Sequence, residues 1–335
     1  MQQSNKKLTI LYILEILKQH SDENHPLTQR DIVKKLKAIY AVETERKSIG
    51  KTIDSLIDFG YDIVKLEKGG CYLARREFEP SEIAFLIDAV FASKNISARH
   101  AKDLAGKLAA FHSVHGQKHF RYIHKADEIN RTINREFFYN IDIINEAIDK
   151  GIKIEFKYNI YGMDKKLKVR KDKFYSATPY FMLNSNGKYY LVCNYDGREG
   201  FNHIKVDYIT DIRLLNESAR AETTIKGFEK GVDIARYAND HINMWTGEII
   251  SVTLRLNSEW SVSNVIDWFG NNARIYEKQE GEDKIFYADI KASENGILYW
   301  AIQFGDDVEV VAPATTRAKI TKMATSIANK YKENE

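Results

Sequence analysis

Gly187–Ile212, GKYYLVCNYDGREGFNHIKVDYITDI, is the stretch on which the reading of this chain turns. Tyr189 to Tyr195 is dense in aromatic and β-branched residues, the composition of a half-buried strand. Asp196-Gly197 supplies turn chemistry, and two further alternating runs follow, His203 to Val206 and Ile209 to Leu214. The same period of two begins upstream, where Ile152, Ile154, Phe156 and Tyr158 alternate with Lys153, Glu155 and Lys157. Residues 151–216 therefore predict a small β-barrel. Alternation places His203, Lys205 and Asp207 on one face of a strand and Ile204, Val206 and Tyr208 on the other. Tyr190, Val192 and Asn194 share a face on the neighbouring strand.

The front of the chain has a different period. Lys7 to Gln19 reads as an amphipathic helix carrying Leu8, Leu11, Tyr12, Ile16 and Leu17 on one side. His25-Pro26 breaks it. Thr28 with Asp31 three residues on is a capping-box start, and Ile32, Val33 and Leu36 form the next stripe. A third helix opens near Thr44 and runs to Phe59, where Gly60 stops it. Ile49, Ile53, Leu56 and Ile57 fall together as its core face. Two short strands, Asp62 to Leu66 and Cys71 to Ala74, flank the turn Lys68-Gly69-Gly70. Three helices and a hairpin within residues 1–76 predict a winged helix-turn-helix.

Residues 77–150 read as a helical connector, with a helix capped by Ser81 and others over Ala98–Phe111, Ala126–Asn134 and Ile141–Lys150. Residues 217–247 read as a linker. Residues 248–335 alternate strand and helix in the order of a ferredoxin-like α+β domain, with Trp245, Trp260, Trp268 and Trp300 as core anchors. The whole is a multi-domain α+β chain.

Bulk properties narrow the function. A chain of 335 residues exceeds one ordinary core, so two or three domains are expected. Net charge is +3, but residues 1–76 alone carry 14 basic and 10 acidic side chains, so the positive excess sits at the front. Two cysteines, Cys71 and Cys193, are too few for a zinc site or disulfide framework and read as buried thiols. No apolar run approaches the ~20 residues of a membrane span, and MQQSNKK is not a signal peptide, so a cytoplasmic protein without a membrane partner is expected. No nucleophile-elbow, zincin, P-loop or dinucleotide fingerprint occurs, so no catalytic residue, metal or cofactor is assigned. His112, His115 and His119 have helical spacing but no carboxylate among them, and read as a surface cluster.

The third helix carries the DNA expectation. Opposite its core face lie Lys47, Lys51 and Ser55, flanked by Thr44 and Ser48, with Arg46 nearer the side. Lys and Ser suit phosphate oxygens and guanine acceptors. Arg46-Lys47-Ser48-Ile49-Gly50-Lys51-Thr52-Ile53 also resembles the recognition helix of bacterial regulators that carry a WYL domain, with Gly50 where an aromatic is common. Tyr189-Tyr190-Leu191 occupies the place of that family's W-Y-L tripeptide. Asn202 to Ile209 resembles its F-R-L-D-R-I run, with Ile204, Lys205, Val206 and Asp207 aligned to the first four positions. Thr178-Pro179-Tyr180 matches its x-P-Y, Arg170 falls where a strand arginine is usual, and the last 85 residues resemble its C-terminal extension. The ordered set covers essentially the whole chain.

The resemblance implies a transcriptional regulator whose Sm-like or SH3-like barrel binds an effector, in some cases a nucleotide or single-stranded nucleic acid. Arg170, Tyr190, Asn194, His203, Lys205 and Asp207 are the expected ligand residues. Lys205 and Tyr208 stand where the family has arginines, and Lys lacks the bidentate fork. A homodimer on a two-fold operator in double-stranded DNA is expected, with the C-terminal domain dimerising. The rival readings are a nucleic-acid-processing enzyme and a module that uses its barrel to bind a protein.

Overall fold

The computed structural model describes residues 8–67, 69–120, 131–281 and 283–332. Contacts divide the chain into two units, Met1–Thr132 and Ile133–Glu335. In the first unit, α1 (Thr9–His20), α2 (Gln29–Tyr40) and α3 (Arg46–Phe59) bury one stripe each: Ile13, Ile16 and Leu17; Ile32 and Leu36; Ile49, Ile53 and Leu56. The capping box of α2 is present in full, Asp31 N–H donating to Thr28 Oγ1 and Thr28 N–H to Asp31 Oδ2. Gly60 ends α3 with φ 114°, a backbone that a side chain would strain. Ile57, expected in the core, is 36% exposed, one step of helical rotation past the buried stripe.

Strands β1 (Ile63–Lys65) and β2 (Cys71–Leu73) pair antiparallel, Ile63 opposite Leu73. Lys68 in the turn lies outside the described residues. The Arg76 guanidinium donates to Lys18 O at 2.7 Å and Ser21 O at 2.6 Å, tying the hairpin's exit to the end of α1. α4 (Pro80–Ala92) and α5 (Ala98–Ala109) follow. The cap of α4 is Glu79 with Pro80 as first residue, not Ser81, because proline at that position needs no donor. Of the expected helix Ala126–Asn134, residues 126–130 lie outside the described residues and Arg131–Asn134 is not helical.

The second unit begins with α6 (Phe137–Lys150), which starts before Ile141. The helical stretch 77–150 thus straddles the division between units. β3 (Ile152–Tyr161), β4 (Leu167–Val169), β5 (Tyr175–Ser185), β6 (Lys188–Tyr195), β7 (Asn202–Lys205) and β8 (Ile209–Ser218) form a curled sheet in the order β4-β3-β5-β6-β7, with β8 pairing β3. Asn186-Gly187, with φ of 49° and 70°, makes the tight β5–β6 turn. Ile154, Phe156, Ala177, Leu191, Cys193 and Ile204 are buried.

Residues 217–247 are not a free linker. They include α7 (Ile234–Asp240) and 3-10 turns at Glu222–Thr224 and Ile242–Met244. Tyr237 and Met244 join Phe181 and Val192 in a buried cluster flanked by Tyr190, Phe201 and Phe228. This strap covers the face of the curled sheet that carries Tyr190.

β9 (Ile249–Leu256), α8 (Glu259–Phe269), β10 (Arg274–Glu280), β11 (Asp283–Ser293), α9 (Glu294–Gln303), β12 (Val308–Ala312) and α10 (Ala314–Tyr331) complete the chain. The sheet is antiparallel in the order β10-β11-β9-β12. Trp300 anchors its core, and Trp268 is partly buried against it. Trp245 at 44% and Trp260 at 76% exposure are not core anchors. The molecule is a mixed α+β, multi-domain chain. Among the described residues, no helix is long and apolar enough to cross a membrane.

Candidate functional site

Two regions concentrate the polar side chains singled out above. The first is the outer face of α3. Arg46, Lys47, Ser48, Lys51 and Ser55 are exposed and Thr44 is half-buried. Thr44, Ser48, Lys51 and Ser55 line a groove of about 1070 Å³ that also receives Lys37 and Glu43, themselves paired at 2.7 Å. Lys47 lies outside that groove. Arg46 turns toward α2, its Nε donating to Gln29 Oε1 at 3.1 Å. Gly50 fits this arrangement: a Cβ there would sit 3.0 Å from Gln29 Nε2. Helix α3 runs unbroken through it, so the glycine serves close approach rather than a flexible break.

The second is a cavity of about 370 Å³ at one end of the curled sheet. Arg170, Lys171, Lys173 and Arg198 line it, and among the described residues none of the four has a carboxylate partner. Tyr158, Tyr175 and Tyr195 supply the aromatic wall. Lys173 Nζ lies 4.7 Å from the Tyr175 ring centroid, and Arg198 lies 5.7 Å from that of Tyr195. Asn202, His203, Ile204 and Thr246 close the rest. Uncompensated cations beside ring faces suit an anion joined to a planar group.

Of the six expected ligand residues, Arg170 and His203 line this cavity; the other four do not. Asn194 is buried and braces the loop above it, its Nδ2 donating to Arg198 O at 3.0 Å and Gly200 O at 2.8 Å. Tyr190 lies under the strap. Lys205 stands opposite Tyr190 in the ladder, and its Nζ sits 5.2 Å from the Tyr208 ring. The two departures from the arginine pattern thus meet each other. Asp207 is not on the face of His203, because β7 ends at Lys205 and Val206–Tyr208 is a 3-10 turn. Asn134 Nδ2 and Asn140 Nδ2 hold that turn through Asp207 O at 2.9 Å and Ile209 O at 2.8 Å. Burial pushes the Asp207 carboxyl up.

His203 touches the cavity but has no free nitrogen. Its Nδ1 lies 2.6 Å from Met244 O and its Nε2 2.7 Å from Tyr237 Oη. A carbonyl only accepts, so Nδ1 carries the proton and Nε2 accepts from the tyrosine. Burial pushes its pKa down to about 4. The sequence reading missed Tyr158, Lys171, Lys173, Tyr175, Tyr195 and Arg198. The run Arg170-Lys171-Asp172-Lys173 was its one visible signal.

No family model matches the chain, and no curated protein matches it. Solved structures do. One is proteasome accessory factor B/C (PafBC) of Arthrobacter aurescens, at 12% identity over 97% of this chain and 49% of that one, with a TM-score of 0.29. The chain spans about half of its length. Another is a CRISPR Cas-related protein, at 14% identity over 96% of this chain and 84% of that one, with a TM-score of 0.37. The order of the motifs quoted above resembles that of WYL-domain proteins.

Of the three histidines read as a surface cluster, His112 is buried and His115 is half-buried. Burial lowers the pKa of His112, and His115 stacks on His25 with centroids 3.7 Å apart. The side chain of His119 lies outside the described residues. Among the described residues no group of three or more His, Cys, Asp or Glu is placed to hold a metal.

Proposed function

We propose that the chain is a DNA-binding transcriptional regulator that responds to a ligand and works as a homodimer on a two-fold operator. The observation that carries this reading is α3, whose Ile49, Ile53 and Leu56 are buried while Lys47, Ser48, Lys51 and Ser55 face solvent. With α2 before it and the β1–β2 hairpin after it, it has the arrangement of a recognition helix followed by a wing. The test is duplex binding by the full-length protein on promoter fragments, including that of its own gene, over a salt series. No retention of any fragment at low ionic strength overturns the reading.

In this proposal the barrel cavity takes the effector, an anion carrying a planar ring such as a nucleotide or the end of a single strand. The strand order β10-β11-β9-β12 supports a ferredoxin-like reading of the C-terminal domain, which serves dimerisation. An effector regulates only if it binds one arrangement of the dimer better than another. Lys173→Ala with Arg198→Ala is expected to weaken binding of a mononucleotide at least tenfold in calorimetry. Lys205→Ala is expected to leave it within about twofold, since Lys205 is occupied by Tyr208. The reverse ranking would move the site back to the strap-covered face.

A further inference from the structure

The segment His241–Thr246 joins the barrel to the C-terminal α+β domain, and its backbone is under strain. Asn243 and Met244 stand in succession in the left-handed region, with φ of 51° and 57°. Asparagine visits that region readily, but Met244 keeps it only where its surroundings enforce it. The enforcing contacts come from both sides. From the barrel, His203 Nδ1 donates to Met244 O at 2.6 Å, and Asn186 Nδ2 bonds Asn243 Oδ1. From the C-terminal domain, Asn295 Nδ2 on α9 donates to Thr246 O at 2.6 Å. Trp245 stacks on Tyr299 of the same helix, centroids 4.6 Å apart, although the two side chains are 44% and 51% exposed. Gly296 lets α9 close in, since a Cβ there would lie 3.2 Å from Ile242 Cβ.

One residue of this joint also belongs to the cavity. Thr246 lines it together with Asn202, His203 and Ile204 of β7. A ligand in the cavity therefore touches the barrel and the joint at once. The four cations around it repel one another when nothing neutralises them, and an anion draws these walls together. We propose that His241–Thr246 is a ligand-gated joint: an anion in the cavity holds the strained setting, and the C-terminal domain follows through Asn295 and Tyr299. This rests on the anion reading of the cavity given above. The argument for a gate rather than a plain connection is the strain itself. One side holds Asn243 and Met244 and the other holds Ile242, Trp245 and Thr246 around them, so loss of contacts on either side frees the segment to reach a lower-energy backbone.

The experiment uses the full-length protein and inorganic tripolyphosphate as probe. Calorimetry reads binding, and tryptophan emission reads the joint. The probe is expected to change the emission, and the change is expected to vanish in Trp245→Phe. Asn295→Ala, which lies outside the cavity, is expected to weaken the probe three- to tenfold, because Thr246 is no longer held from the far side. A purely structural Asn295 would leave the affinity alone. Binding of the probe with Trp245 emission or Asn295→Ala affinity unchanged overturns the joint and leaves the cavity reading intact. Failure of the probe to bind at low salt overturns the cavity reading, and the joint with it.

Discussion

Lys47→Ala with Lys51→Ala is expected to weaken duplex binding about tenfold per reader head, or about 1.4 kcal/mol. Both lysines project from the exposed face of α3, and neither is part of the buried stripe Ile49, Ile53 and Leu56, so folding is unaffected. The sharper readout is the salt dependence. Each phosphate neutralised releases counterions worth a slope of ~0.9 in log affinity against log salt. Two lost contacts on one head flatten the slope by ~1.8, and two on each head of a dimer by ~3.6. The same titration therefore tests the helix face and the stoichiometry together. Unchanged affinity and slope would mean that α3 meets solvent, not phosphate, and would leave the groove of Thr44, Ser48 and Ser55 without a role in DNA binding.

The readable parts of this chain are those whose structure is decided within a few residues. The Thr28–Asp31 capping box, the Gly60 stop and the period-two run from Ile152 depend on local hydrogen bonds and on side-chain alternation, and all were visible in the sequence. The fate of Asp207 was not. Alternation continued on paper through Tyr208, but Asn134 and Asn140 reach back from before and within α6 to bind the carbonyls of residues 206–209, and the strand breaks there. The strap was hidden for a similar reason. Ile225, Phe228, Tyr237, Ile242 and Met244 follow no period because each fills a gap in a surface built by other elements. The cavity is long-range as well. Tyr195 reaches its place through pairing with Ala177, beside Tyr175, and Arg198 through a loop that Asn194 braces. Residues chosen for lying on one strand with His203 could not anticipate a pocket assembled at the ends of several.

The strap should also loosen in acid, and His203 is the reason. Its folded-state pKa is about 4, against the ordinary 6.5 of the unfolded chain, because protonation would place a charge in a buried site whose Nε2 already accepts from Tyr237. A depressed pKa contributes stability that is complete above 6.5 and is lost as pH falls through the window between 6.5 and 4. Between pH 7 and pH 5 the loss amounts to about 2 kcal/mol. His241, also lowered by burial, acts in the same direction. Asp207 acts in the opposite one, since its raised pKa stabilises the protonated folded form as pH falls. Comparison with His203→Gln separates these terms: the glutamine can donate to Met244 O but does not titrate. Unfolding by urea at pH 7 and pH 5 is expected to show the wild-type protein losing about 2 kcal/mol more than the variant. Equal losses would mean that His203 takes up its proton without disturbing Tyr237 and Met244, and that the strap is fastened elsewhere. Arg220 is the next candidate, since its N–H donates to Thr178 Oγ1 at 3.1 Å, its carbonyl accepts from Tyr180 at 3.0 Å, and none of these groups changes charge over that range.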